Sequence, residues 1–167
     1  ADNEAKAETP TMNKIYITIG GQTQSATLVD NEATRELVAA LQDASITVTL
    51  NDNDFEIWGS LGRLLTTKNE QMTVQPGDIV LYNGSNICIF YDSNSWSYTR
   101  LGHIDGLSES ELRTFLKAGQ NNISVTLSLT SGTTAIKSVN GNRLENGAYY
   151  SLNGVKMENP SKGIYDS

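Results

Sequence analysis

A chain of 167 residues has room for one domain with a substantial core and is too short for two domains of ordinary size. Its 12 basic and 19 acidic residues leave a net charge of -7 with no basic stripe, which argues against nucleic acid as a partner. The single cysteine, Cys88, excludes an internal disulfide, and no apolar run approaches the roughly 20 residues of a membrane helix, so no transmembrane segment is expected.

Residues 1–13 are polar, carry Glu4, Lys6 and Glu8, lack an apolar period and read as a flexible linker. Lys14 to Gly21 alternates strictly, with Ile15, Ile17 and Ile19 on one face and Gly20-Gly21 closing a turn, and Thr23 to Val29 returns as its partner. Asp30 or Asn31 then caps a helix through Leu41, whose apolar side is Ala33, Leu37, Val38 and Leu41. Ser45 to Leu50 alternates again until Asn51-Asp52-Asn53-Asp54 breaks the pattern. Calcium loops share the Asp52 to Asp54 spacing, but the glycine turn and the terminal bidentate glutamate are missing, so a turn is expected and no metal.

Phe55, Ile57 and Trp58 before Gly59 suggest an edge segment laid on the core, and Ser60 to Met72 reads as a long loop with Arg63 as its early cation. Gln75-Pro76-Gly77-Asp78 is a turn leading into the most ordered stretch of the sequence, Gly77 to Asp105. There, two apolar runs, Ile79 to Tyr82 and Ile87 to Tyr91, flank Asn83-Gly84-Ser85-Asn86, the pattern of a tight hairpin with both strands largely buried. Cys88 lies inside the second run and reads as a small buried hydrophobe. A polar loop from Asp92 to Ser97 carries Trp96, and Tyr98 to Gly102 alternates as a half-exposed strand does.

Ser108 and Glu111 form a capping box for a helix with Leu112, Phe115 and Leu116 on its apolar side and Gly119 at its stop. Ile123, Val125, Leu127 and Leu129 alternate as a last strand, which ends a domain spanning residues 14–129. Residues 130–167 change composition, with Asn-Gly at Asn140, Asn146 and Asn153, and read as a tail of small β-hairpins. The expected fold is mainly β: a closed antiparallel barrel of about eight strands capped by two helices.

The segments KIYITIGGQ, NDNDFEIWGSLGRLL, QPGDIVLYNGSNICIFYDSNSWSYTRLGHID and ISVTLSL, in that order, resemble the bacterial cyclophilin-like fold proteins from Lys14 to Leu129. The resemblance implies a small eight-stranded cyclophilin-like barrel with two capping helices. Cyclophilins proper carry an arginine followed at fixed spacing by Phe-Met-Gln, which has no counterpart here, so the resemblance transfers no catalytic residue. Similar chains often show Leu-Pro where this one has Leu65-Thr66. The tail AYYSLNGVKMENPSKGIY is similar to C-terminal tails of secreted Bacteroidetes proteins, which with the polar linker favours an extracytoplasmic setting: periplasmic, lipoprotein-anchored or secreted.

Aromatic and cationic side chains gather in the middle of the sequence, and a groove lined by Trp58, Arg63, Tyr91, Trp96, Tyr98 and Arg100 is the candidate site. Arg100 beside aromatic faces can hold a carboxylate or an amide carbonyl, or else form a structural ion pair with Asp52, Asp54, Asp92 or Asp105. His103, the single histidine, has no companion for a triad or zinc site and reads as a surface strand residue. No glycine-rich phosphate loop is present, and no cofactor is expected. The leading expectation is a binding module for a small molecule or peptide, without isomerase activity. Its alternatives are a weak prolyl isomerase using Arg100 or Arg63, and a cell-envelope interaction domain; ligand identity and oligomeric state are left unspecified by these residues.

Overall fold

The computed structural model describes residues 13–131; the linker and the tail hairpins read from the sequence lie outside the described residues. Nine strands and two helices follow one another as β1 (Lys14–Ile19), β2 (Gln22–Leu28), α1 (Glu32–Asp43), β3 (Ile46–Asp52), β4 (Glu56–Ser60), β5 (Glu70–Val74), β6 (Asp78–Tyr82), β7 (Asn86–Phe90), β8 (Asn94–Ile104), α2 (Glu109–Phe115) and β9 (Ile123–Ser128). Eight of them pair antiparallel in the order β2-β1-β9-β3-β4-β7-β6-β8, and a β2–β8 pairing closes the ring. The expected closed, mainly β barrel of about eight strands with two helices is therefore the observed architecture.

Strand periodicity explains what the barrel holds. Ile15, Ile17 and Ile19 of β1, Val48 and Leu50 of β3, Ile79 and Leu81 of β6, and Val125 and Leu127 of β9 point inward and form one buried cluster. Both helices add to it: α1 contributes Ala33, Leu37 and Leu41, and α2 contributes Leu112 and Phe115. Asn31 caps α1 by accepting from the Thr34 amide at 2.9 Å, and its side-chain amide donates to the Arg100 carbonyl at 2.8 Å, which ties the helix to β8. Ser108 and Glu111 form the capping box of α2.

Closure has a steric condition. A Cβ on Gly102 would lie 2.4 Å from the Thr27 carbonyl oxygen and 3.1 Å from the Leu28 Cα, so only glycine lets β8 approach β2. Gly59 plays the same part between β4 and β3, where a Cβ would meet the Thr49 carbonyl oxygen at 2.6 Å. Beside the β2–β8 seam, the Asp105 carboxylate accepts from Lys14 Nζ at 2.6 Å and from the Ser25 and Thr27 hydroxyls at 2.8 Å each. Burial pushes the Asp105 pKa up, but these donors together hold it below its ordinary value.

Three expectations from sequence are corrected. The segment around Trp58 is no edge: β4 pairs with β3 on one side and β7 on the other, so ring closure gives it a hydrogen-bonded neighbour at both backbone edges. The loop after Ser60 is shorter than Ser60 to Met72, since β5 begins at Glu70. It is also held, because the Thr66 amide and hydroxyl donate to the Glu36 carboxylate at 2.7 and 2.6 Å; a proline in place of Thr66 would lack that amide. Finally, β8 begins at Asn94, so Trp96 sits on a strand rather than in a loop, and Tyr98 and Gly102 are buried rather than half-exposed. The strand is long enough to pair twice, first with β5 over Asn94 to Tyr98 and then with β6 and β2.

Gly102→Ala is expected to cost about 1–3 kcal/mol or more, as overpacking against backbone does, read as a lowered urea midpoint. Asp105 contributes stability above the pH at which an unfolded aspartate titrates, near about 4, and that contribution is lost as pH falls through its lower folded value. Acidification from about pH 5 to 2 should therefore lower the midpoint of the native protein more than that of Asp105→Asn.

Candidate functional site

The outward side chains of β4, β7, β6 and the start of β8 are as informative as the inward ones. On an ordinary barrel they would be polar, yet here Val80, Cys88, Phe90 and Tyr98 form a second buried cluster with Val74, and Phe55, Trp58, Met72 and Tyr82 pack against it. The paired β5 and β8 segments supply Val74, Met72 and Tyr98 to this outer layer. Ring contacts run through it: Trp58 meets Tyr82 edge-on at 6.2 Å, Tyr82 meets Tyr98 at 6.1 Å, and Tyr98 meets Phe90 at 5.5 Å. Phe90 in turn stacks on Phe55 at 6.1 Å. Such edge and offset contacts fix ring orientation as well as burying area.

The layer is incomplete, and where it stops it leaves a cavity of about 340 Å³. Phe55, Trp58, Tyr82, Trp96 and Tyr98 form its walls, and Cys88 also lines it. Trp96 stands on β8 with 56% of its surface exposed. Polar groups enter at three points, Asn53, Glu56 and Asn94. The Asn94 amide donates to the Tyr98 hydroxyl at 2.8 Å.

Glu56 is the unusual member. It is the residue before Ile57 and two before Trp58, so alternation sends it to the outer face beside the tryptophan, where it is only 4% exposed. The Asn51 to Asp54 turn, with Asp54 at a positive φ of 67°, brings the Asn53 amide within 2.8 Å of Glu56 Oε2. The other oxygen, Oε1, has no hydrogen-bond partner. The Cys88 thiol adjoins the carboxylate but is a weak donor. Burial pushes the Glu56 carboxyl above its ordinary pKa, against the smaller opposing effect of Asn53. Burial, with the Glu56 charge beside it, pushes the Cys88 thiol up, which leaves it protonated and unreactive.

Of the six residues expected to line a groove, the fold brings together Trp58, Trp96 and Tyr98. The other three are placed elsewhere. Arg63 is exposed on the loop after β4. Tyr91 is buried, donates its hydroxyl to Asp52 and lies under the Arg113 guanidinium at 4.9 Å, a cation–π contact. Arg100 pairs with Asp78 at 3.3 Å and reaches the Met72 sulfur at 3.5 Å, so its acidic partner is none of the four aspartates expected. His103 is a strand residue with an exposed side chain, hydrogen-bonded through Nδ1 to the same Asp78 at 2.8 Å. Asp52, bound by Tyr91 and by the Gly119 and Asp54 amides, serves the turn. Among the described residues no three His, Cys, Asp or Glu side chains gather as a metal site.

Sequence reasoning missed Glu56, Tyr82, Asn53 and Asn94. One signal was available for the first: in Phe55-Glu56-Ile57-Trp58 an acid alternates onto the same face as a tryptophan, inside an otherwise apolar strand. Leaving a buried acceptor unpaired costs about 1–3 kcal/mol, and an unfolded glutamate titrates near about 4.3. Because Glu56 is raised in the folded state, its ionisation costs stability as pH rises through that folded value, and the cost is absent below about pH 4. Glu56→Gln should raise the urea midpoint at pH 8 by an equivalent of about 1 kcal/mol, with the gain shrinking to nothing at pH 4.

Against known proteins, the model of the Cyclophilin-like family matches residues 17–128, more than half of the chain. No curated protein matches it. Among solved structures, the fold is similar to the solution structure of the hypothetical protein AF2241 from Archaeoglobus fulgidus, with a TM-score of 0.52, 17% identity, and coverage of 74% of this chain and 98% of that one. At that identity the likeness is one of fold. A closed eight-stranded barrel with two helices, matched by the family model from within β1 to the end of β9, places the conclusion beyond architecture alone: the chain belongs to the cyclophilin-like family.

Proposed function

We propose that this protein is a binding module whose outer-face cavity takes a small molecule or a peptide side chain, without prolyl isomerisation. The observation that carries the reading is a cavity of about 340 Å³ walled by five aromatic rings, with three polar side chains at its margin. Mostly apolar walls with a few convergent polar groups are the usual composition of a ligand site. Trp96 supports it further, since a large ring left 56% exposed at such a rim has little packing reason to be there. Binding rather than isomerisation is favoured because neither Arg63 nor Arg100 lines the cavity, and Arg100 is engaged with Asp78.

The test is a titration of the full chain with proline-containing peptides and a mixed set of small molecules, followed by indole and amide NMR. Ligands should shift the Trp58 and Trp96 indole signals. Trp96→Ala should weaken binding at least about tenfold, as loss of an aromatic anchor does, and leave the urea midpoint nearly unchanged. Arg63→Ala and Arg100→Ala should alter affinity by less than about twofold, which the O-ring view of non-anchor residues anticipates. Silent indole signals at millimolar ligand would remove the reading.

A further inference from the structure

The cavity also carries a statement about the chemistry of its ligand, one that rests on the binding reading above. Glu56 is 4% exposed and lines the cavity; its buried Oε1 has no hydrogen-bond partner, while Oε2 is held by Asn53. Beside the carboxylate the protein offers only the weakly donating Cys88 thiol, so a strong donor for that oxygen has to arrive from outside. No lysine or arginine lines the cavity, so nothing there balances a carboxylate charge, and an anionic ligand would find no cationic partner beside that acid. Around the acid stand the faces and edges of Trp58, Tyr82, Trp96 and Tyr98, and aromatic faces attract cations. The net charge of -7 acts in the same direction at long range.

We propose that the cavity takes an organic cation bearing N–H donors, an ammonium or amidinium group on an apolar body, with Glu56 Oε1 as its acceptor and the surrounding rings as its walls. A neutral donor would satisfy the hydrogen bond but not the charge. A quaternary ammonium would satisfy the charge but not the hydrogen bond. The groups facing Glu56 are Asn53 from the β3–β4 turn, Cys88 from β7 and Tyr98 from β8. Burial pushes the Cys88 thiol and the Tyr98 phenol up, away from the range of a carboxyl, so Glu56, itself raised by burial, is the member of this group whose charge changes on acidification. The cation holds the ionised form, so its affinity tracks that ionisation.

The experiment compares benzamidine, its neutral isostere benzamide and benzoate, each titrated calorimetrically into the full chain with the Trp96 indole signal followed in parallel. Benzamidine is expected to bind and to shift Trp96, benzamide to bind at least tenfold more weakly, and benzoate not to bind. Glu56→Gln should weaken benzamidine at least tenfold and leave benzamide unchanged. On the native protein, independently of that variant, benzamidine affinity should be flat at high pH and fall toward tenfold per pH unit below the Glu56 pKa. Equal affinity for benzamide and benzamidine, or a flat pH profile down to pH 4, overturns the cation class while leaving the cavity as a binding site. If no benzamidine binds but another molecule of the mixed set shifts Trp96, the cation class likewise falls alone; indole silence toward every compound removes both conclusions.

Discussion

Eight strands become a barrel only where β8 meets β2, and at that seam the Gly102 backbone lies so close to the Thr27 carbonyl that no side chain fits between them. The Asp105 carboxylate reinforces the seam by gathering Lys14, Ser25 and Thr27 from the β1–β2 hairpin at the end of β8. Once the ring is closed, every strand has one face committed to the interior. Ile57, Ile79, Leu81, Ile87 and Ile89 go in, and the residues alternating with them must go out.

On β4, β6 and β7 much of that outward set is apolar, which gives the barrel a second problem of burial. Val80, Cys88 and Phe90 need cover, and the β5–β8 extension supplies it with Val74, Met72 and Tyr98. The cover ends before Trp58 and Tyr82 are sealed, so the cavity is the unfinished margin of an otherwise dry outer layer. Its polar chemistry is sparse for the same reason. An acid there is desolvated by rings rather than solvated by water, and a group that partners it gains more than it would on the open surface.

Arginine is distributed differently from what a cyclophilin resemblance invites one to look for. Arg100 sits on the long strand next to the site, yet its guanidinium turns to Asp78, which is also bound by His103 and by the Gln75 amide. Asp78 opens β6, so this cluster holds the turn before β6 against β8. Arg113 packs over Tyr91, which is tied to Asp52. Both arginines therefore join elements of the fold, and the cavity is left with an acid and aromatic rings.

Much of the architecture was legible in the residues. Strict alternation at Ile15 to Ile19, at Ile46 to Leu50 and at Ile123 to Leu127 identifies barrel strands, and the cap at Asp30 or Asn31 and the box at Ser108 mark both helices, because period and capping are local properties. The burial of Cys88 and the hairpin at Asn83-Gly84, both left-handed in φ, were legible for the same reason. Tertiary pairing alone decided that Trp58 lies on a strand flanked on both sides and that Trp96 extends a strand instead of a loop. It also decided that Trp58, Trp96 and Tyr98 converge while Arg63, Tyr91 and Arg100 do not. Sequence by itself determined the alternating barrel strands, both helices and the tight turns; pairing, closure and register decided the β5–β8 extension and which outward side chains meet, because a cavity between four strands depends on contacts that no local pattern encodes.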